Sequence, residues 1–401
     1  MPAASTTGLI LTGGGARAAY QVGVLRAIAR IRRDADAPPG NPYPVLAGTS
    51  AGALNAAALA TDADDPEGGI AKLVRVWENM HVEQVYRTDS FGVIRTGAKW
   101  LTMMSMGWAI ARMRRLRPRS MLDNSPLHGL LGEMIELERI DGLIAGGHLK
   151  ALAVSASSYT SGSHVTFYQS AEQLEPWIRS NRLAVRGGIT MAHLLASAAI
   201  PFMFPAVSLP LAGSEEWFGD GSMRQTAPIS PAIHLGADRI LVIGAGRMRE
   251  PAGVRATATS AYPSIAQIGG HALSSIFLDA LAVDVERLQR INATLSLIPE
   301  EFRQHASLKP VRLLLISPSE RLDDIAARHL GALPHSIRAL LGAIGVSKAA
   351  PGNGSALASY LLFEADYTRE LMALGEKDTD ARRDEVLQFF DLESVAAAAA
   401  P

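Results

Sequence analysis

Cysteine is missing from all 401 residues. Its absence excludes disulfides, thiolate-held metals and a cysteine nucleophile, and it is silent on compartment. A charge imbalance is missing too: 38 Lys and Arg stand against 39 Asp and Glu, a formal net charge of −1. No global field favours a polyanion, so no nucleic-acid partner is expected. No Lys or Arg precedes Arg17. A secretory signal opens on a basic segment, so none is expected here and the expected location is the cytoplasm. Uncharged apolar runs stay short of the ~20 residues that cross a bilayer. No group of His, Asp and Glu has the spacing of a metal site, and neither a metal nor another cofactor is expected.

What is present is a globular composition, 48% hydrophobic and 19% charged. The length suits one large domain or two ordinary ones. "GLILT" reads as a short strand from Gly8 to Thr12, followed by a glycine turn and a helix from about Arg17. Val22, Leu25, Ile28 and Ala29 recur there at helical spacing. "YPVLAG" is a second buried strand, and Ala51 to Ala60 a helix of small residues. Further strands are expected at 150–157, 164–169, 239–245 and 312–318, with helices at 190–198, 228–236, 264–295 and 354–374. Apolar strands alternating with helices imply an α/β fold, three layers with a mainly parallel central sheet covered on both faces.

Gly48-Thr49-Ser50-Ala51-Gly52 has the G-x-S-x-G spacing of a nucleophile elbow. A side chain two residues either side of the nucleophile would meet neighbouring backbone, so Gly48 and Gly52 suit those places. The following helix would aim its free N–H groups at Ser50. The plainer reading is a glycine turn with an incidental serine. Gly13-Gly14-Gly15-Ala16-Arg17-Ala18 also has two readings. As G-x-G-x-x-A it is a variant dinucleotide fingerprint, which calls for an acidic residue closing the second strand. That strand closes instead on Gly48-Thr49-Ser50. The other reading is an oxyanion hole made by the N–H groups of Gly13, Gly14 and Gly15.

Ser50 needs a base. None of the ten histidines sits in a strand-end loop beside glycines. Asp220, between Gly219 and Gly221 and after Trp217-Phe218, is the better candidate. Asp-Gly is also a common turn pair. A free aspartate is a poor base, with a pKa of about 3.9, and burial would raise it.

Together these segments resemble the patatin-like phospholipase family. "GGGARA" corresponds to its glycine-rich oxyanion loop with a following Arg, "GTSAG" to its elbow and "DGS" to its Asp-Gly pair, in the family's order. Ala18 stands where the family's last loop glycine would be, and Ser222 where Gly or Ala is usual after Asp-Gly. The resemblance spans about residues 7–245. It implies a Ser–Asp dyad of Ser50 and Asp220, without histidine, acting on phospholipid or lysophospholipid esters through an acyl-enzyme. Gly48, Gly52 and Gly221 would shape the two loops. Arg17 would anchor the oxyanion loop or attract an anionic head group, or else be a surface charge on the first helical turn. "IPFMFP" resembles the family's pocket-lining segment, with Phe202, Met203 and Phe204 as an acyl pocket, or else ordinary core. The remaining functional alternatives are a dinucleotide-binding enzyme and a regulatory, membrane-associated protein that kept this fold.

The expected organisation is a hydrolase domain over 7–318, with an insertion at about 77–130, and a helical extension over 319–401 ending in a frayed Ala-rich tail. In the insertion, seven basic residues flank the apolar run Trp100 to Ile110 with no acidic residue between Asp89 and Asp123. The segment 91–119 has the pattern of a peripheral membrane contact at the inner face of a membrane. A packed helix, a lid or a homodimer contact would show the same pattern.

Overall fold

The computed structural model describes residues 5–89, 120–172, 174, 177–247, 264–303, 308–346 and 355–392. The basic, Trp-edged segment 91–119 and the Ala-rich tail lie outside the described residues.

The first two strands, β1 (Thr7–Leu11) and β2 (Val45–Thr49), are buried at every position. Unbroken burial means cover on both faces, and it goes with parallel pairing. β1 pairs in parallel with β2 on one side, and with β9 (Arg239–Ile243) on the other. β9 pairs in parallel with β10 (Arg312–Ile316), and β2 with β3 (Ala151–Ser158). This five-stranded parallel block is extended by β4 (His164–Ser170), antiparallel to β3, and then by β6 (Arg182–Arg186) and β5 (Ile178–Arg179). A hairpin of β7 (Val207–Leu211) and β8 (Ser214–Asp220) closes on the end of β3, with Ala156 opposite Asp220.

Side chains alternate across the sheet as a pleat requires. Leu9, Leu11, Leu46, Val154 and Ile243 join one core, under α1 (Ala19–Asp34), α2 (Ala51–Thr61) and α3 (Pro66–Glu78). Ile10, Val45, Ala47, Ala153 and Val242 join the other, with Leu281, Val285 and Leu288 of the helical stretch Ile265–Ser296. The result is the expected three-layer α/β/α fold.

Two differences from the sequence reading have local causes. The β7–β8 hairpin was not among the expected strands. Pro210 and the neighbouring Glu215 and Glu216 read as loop, and the proline is tolerated on the edge strand of the pair. The helix expected at 354–374 is two helices, Ser355–Leu361 and Ala365–Asp380. Phe363 turns inward between them, its ring centroid 6.4 Å from those of both Trp77 and Tyr86. The described residues after 318 form helices and share the first core: Leu357, Tyr367, Leu371 and Phe389 cluster with Leu9 and Leu25. α1 and the helix Ala365–Asp380 touch through glycines. A Cβ on Gly23 would enter the Met372 carbonyl, and one on Gly375 the Tyr20 carbonyl.

Candidate active site

The parallel block delivers the loops after β1, β2 and β9 to one edge of the sheet. Open α/β sheets place their sites at that carboxyl edge. Ser50 stands between β2 and α2 with φ 57° and ψ −134°, in the left-handed half of backbone space. A non-glycine residue there is strained, and such strain is held where surrounding structure over-determines it. Here the constraint is steric on both sides. A Cβ on Gly48 would strike Gly52 and Ala53, and one on Gly52 would strike the carbonyls of Leu11 and Thr12. The Ser50 N–H donates to Ser197 Oγ at 2.9 Å, and Ser197 Oγ donates to the Ser155 carbonyl at 2.7 Å.

Asp220 ends β8 and is fully buried. Its Oδ1 accepts the Ser222 N–H at 2.9 Å. Its Oδ2 has no hydrogen-bond partner, and neither has the Ser222 hydroxyl. Burial pushes the Asp220 pKa up to about 6, against the pull of the Ser50 hydroxyl and of the Ser222 N–H and hydroxyl, which favour the charged form. The Ser50 hydroxyl thus faces the carboxylate without a fully formed hydrogen bond. Contacts of this kind are often long in an empty site and tighten around substrate.

The glycine loop meets both. Gly13 packs against Ser222 so closely that a Cβ would overlap its hydroxyl. Gly15 takes φ 54°, where only glycine is unstrained, and lies against the Tyr360 carbonyl. Among the described residues, no acceptor is paired with the N–H of Gly13 or Gly14. Gly221 is pressed on the Ser155 carbonyl and the Thr49 methyl. The three sequence segments therefore converge at one point of the sheet edge.

Arg17 is not a surface charge: it is 2% exposed. Its guanidinium forms an ion pair with Asp323, donates through Nε to Ser359 at 2.8 Å and lies 3.9 Å over the Tyr360 ring. It ties the end of the glycine loop to helices some 300 residues later in the chain. That partner set had no signal in the sequence.

A narrow apolar cavity of about 40 Å³ lies at Ser50. Its walls are apolar, including Leu54, Trp77, Leu131, Met134 and Phe204, with Gly15 and Asn55 beside them. Of the three residues expected to line it, only Phe204 does. Met203 is buried elsewhere, and Phe202 is 73% exposed. The reason is a reversal: Phe202 sits at φ 64°, and its carbonyl and that of Met203 accept the N–H groups of Met121 and Leu122 at 2.8 and 2.9 Å. The turn sends Phe202 outward and its successors inward. If the cavity holds an acyl chain, Phe204→Leu shifts the octanoate-to-acetate preference in kcat/KM by about tenfold, whereas Phe202→Ala leaves it near wild type. A p-nitrophenyl ester series measures both.

Two residues near Ser50 and Asp220 were missed in sequence. Ser197 fixes the Ser50 peptide, and only its place in "ASAAIPFMFP" hinted at it. His164, on β4, is buried, and burial pushes its pKa down to about 4 against the smaller opposing pull of the Gly221 carbonyl. Ser157 Oγ donates to the same carbonyl at 3.2 Å. Neither residue lies in a glycine-marked loop. Among the described residues, no histidine lines the cavity at Ser50 and no group of His, Asp and Glu is arranged to hold a metal.

The patatin-like phospholipase family model matches residues 9–233. Among solved structures, that of VipD from Legionella pneumophila is similar to this chain, at 13% identity over 92% of this chain and 67% of that one, with a TM-score of 0.32. No curated protein matches.

Proposed function

The chain belongs to the patatin-like phospholipase family, and from that premise we propose that it is a serine acyl hydrolase acting on phospholipid or lysophospholipid esters through a Ser50–Asp220 dyad. The observation that carries this reading is a buried carboxylate whose Oδ2 is unpartnered beside a strained elbow serine. A desolvated carboxylate with a pKa of about 6 is a usable base near neutral pH.

The reaction proposed is acyl transfer. Ser50 Oγ attacks the ester carbonyl as Asp220 takes its proton. The N–H groups of Gly13, Gly14 and Gly15 receive the negative charge that develops on the carbonyl oxygen. Asp220 returns the proton to the departing alcohol, and the acyl group stays on Ser50. Water, deprotonated by Asp220, then attacks the acyl carbon, and Asp220 returns the proton to Ser50 Oγ as the acyl bond breaks and the fatty acid leaves. The apolar cavity at Ser50 suits the acyl chain, since it offers apolar contact and little competing hydrogen bonding. Purified protein should release acid from p-nitrophenyl esters and from lysophospholipid. Absence of turnover on both classes would overturn the proposal.

A further inference from the structure

A row of buried polar side chains joins the cavity to the glycine loop, and the reaction above leaves it unused. Trp77 Nε1 donates to Asn55 Oδ1 at 3.0 Å. Asn55 Nδ2 donates to Gln21 Oε1 at 3.2 Å and to the Ala18 carbonyl at 3.3 Å. Gln21 Nε2 donates to the Thr12 carbonyl at 2.8 Å. Trp77, Asn55 and Gln21 are all buried.

The chemistry gives this row one direction. An indole N–H can only donate, so Asn55 must offer it oxygen and turn its NH2 toward Gln21. Gln21 must then accept with oxygen and turn its own NH2 toward Thr12. Every member is satisfied only in that sense, and buried amides rarely stay unsatisfied. The two ends have distinct tasks. Trp77 and Asn55 wall the cavity together with Ser50. The Thr12 carbonyl belongs to the peptide that enters the glycine loop. Because a peptide is planar, fixing that carbonyl also fixes the Gly13 N–H.

Resting on the acyl hydrolase reading, we infer that Gln21, Asn55 and Trp77 are positioning residues that couple occupancy of the acyl cavity to the orientation of the oxyanion loop. A chain packed against Trp77 holds the indole in place. The row carries that constraint to the Thr12–Gly13 peptide. Chain length is then read in kcat and not only in KM.

The test compares p-nitrophenyl acetate and octanoate as substrates of wild type, Trp77→Phe, Asn55→Leu and Gln21→Met, with thermal melting as the check on folding. Trp77→Phe keeps an aromatic wall and removes the donor. Trp77→Phe and Asn55→Leu are expected to lower kcat on octanoate about tenfold, to leave KM within about twofold and to lower kcat on acetate less than about threefold. Gln21→Met cuts the last link and lowers kcat on both esters. Should Gln21→Met fail to fold, Trp77→Phe decides alone. Equal losses on both esters in Trp77→Phe, or a change confined to KM, would mean that the row is only structural. A wild type inactive on both esters removes this inference, and one inactive on lysophospholipid as well removes the acyl hydrolase reading with it. An active wild type with the equal-loss pattern removes this inference alone.

Discussion

Ser50→Ala removes ester hydrolysis and fluorophosphonate labelling together, and Asp220→Asn lowers turnover by at least about a thousandfold. The second variant should also be more stable than wild type at neutral pH. Asp220 is fully buried, and its pKa is raised from 3.8 to about 6, mainly by burial. Between those values the folded chain keeps a proton that the unfolded chain has released. Stability therefore falls as pH rises through this window, and the deficit is complete above it. It is on the order of 2–3 kcal/mol. Asparagine carries no such cost and still accepts the Ser222 N–H. Melting temperature at pH 7.5 should thus be higher in Asp220→Asn than in wild type, with the gap closing toward pH 4. Near-normal turnover in this variant would remove Asp220 from the base role. A lower melting temperature at pH 7.5 would show that the carboxylate is not held against its solvation.

The glycines made the candidate site legible. Gly48, Gly52 and Gly221 each stand where a Cβ would enter backbone, and steric demands of that kind leave a mark at fixed spacing. The parallel sheet was legible for a related reason: strands buried on both faces read as short apolar runs. What failed to show had no periodic mark. Phe202 and Phe204 are the same residue type two positions apart, and only a left-handed turn decides which one faces the cavity. For Arg17 the sequence left open a loop anchor, a head-group contact and a surface charge, because Asp323 and Ser359 reach it from the far end of the chain. Gln21 and Asn55 sit within helices whose neighbours are apolar, and nothing local says that each has a buried partner. Long-range polar pairing is set by topology, which one sequence does not spell out.

The pH dependence of kcat/KM on an uncharged ester should show a single acid limb with its midpoint near 6. Below it, activity falls about tenfold per pH unit, because only the charged form of Asp220 accepts the Ser50 proton. The limb belongs to Asp220 for an electrostatic reason. The buried His164 and the half-buried His193 have pKa values pushed down to about 4 by burial, so both are already neutral across this window. Ser222 supplies the control. Its hydroxyl helps to hold the Asp220 pKa down, so Ser222→Ala should move the midpoint above that of wild type while preserving the limb's slope. The Ser222 N–H, which remains, keeps the carboxylate in place. A midpoint near 4 in wild type would mean that water reaches the carboxylate and that burial does not tune the base. A midpoint that ignores Ser222→Ala would assign the limb to another group.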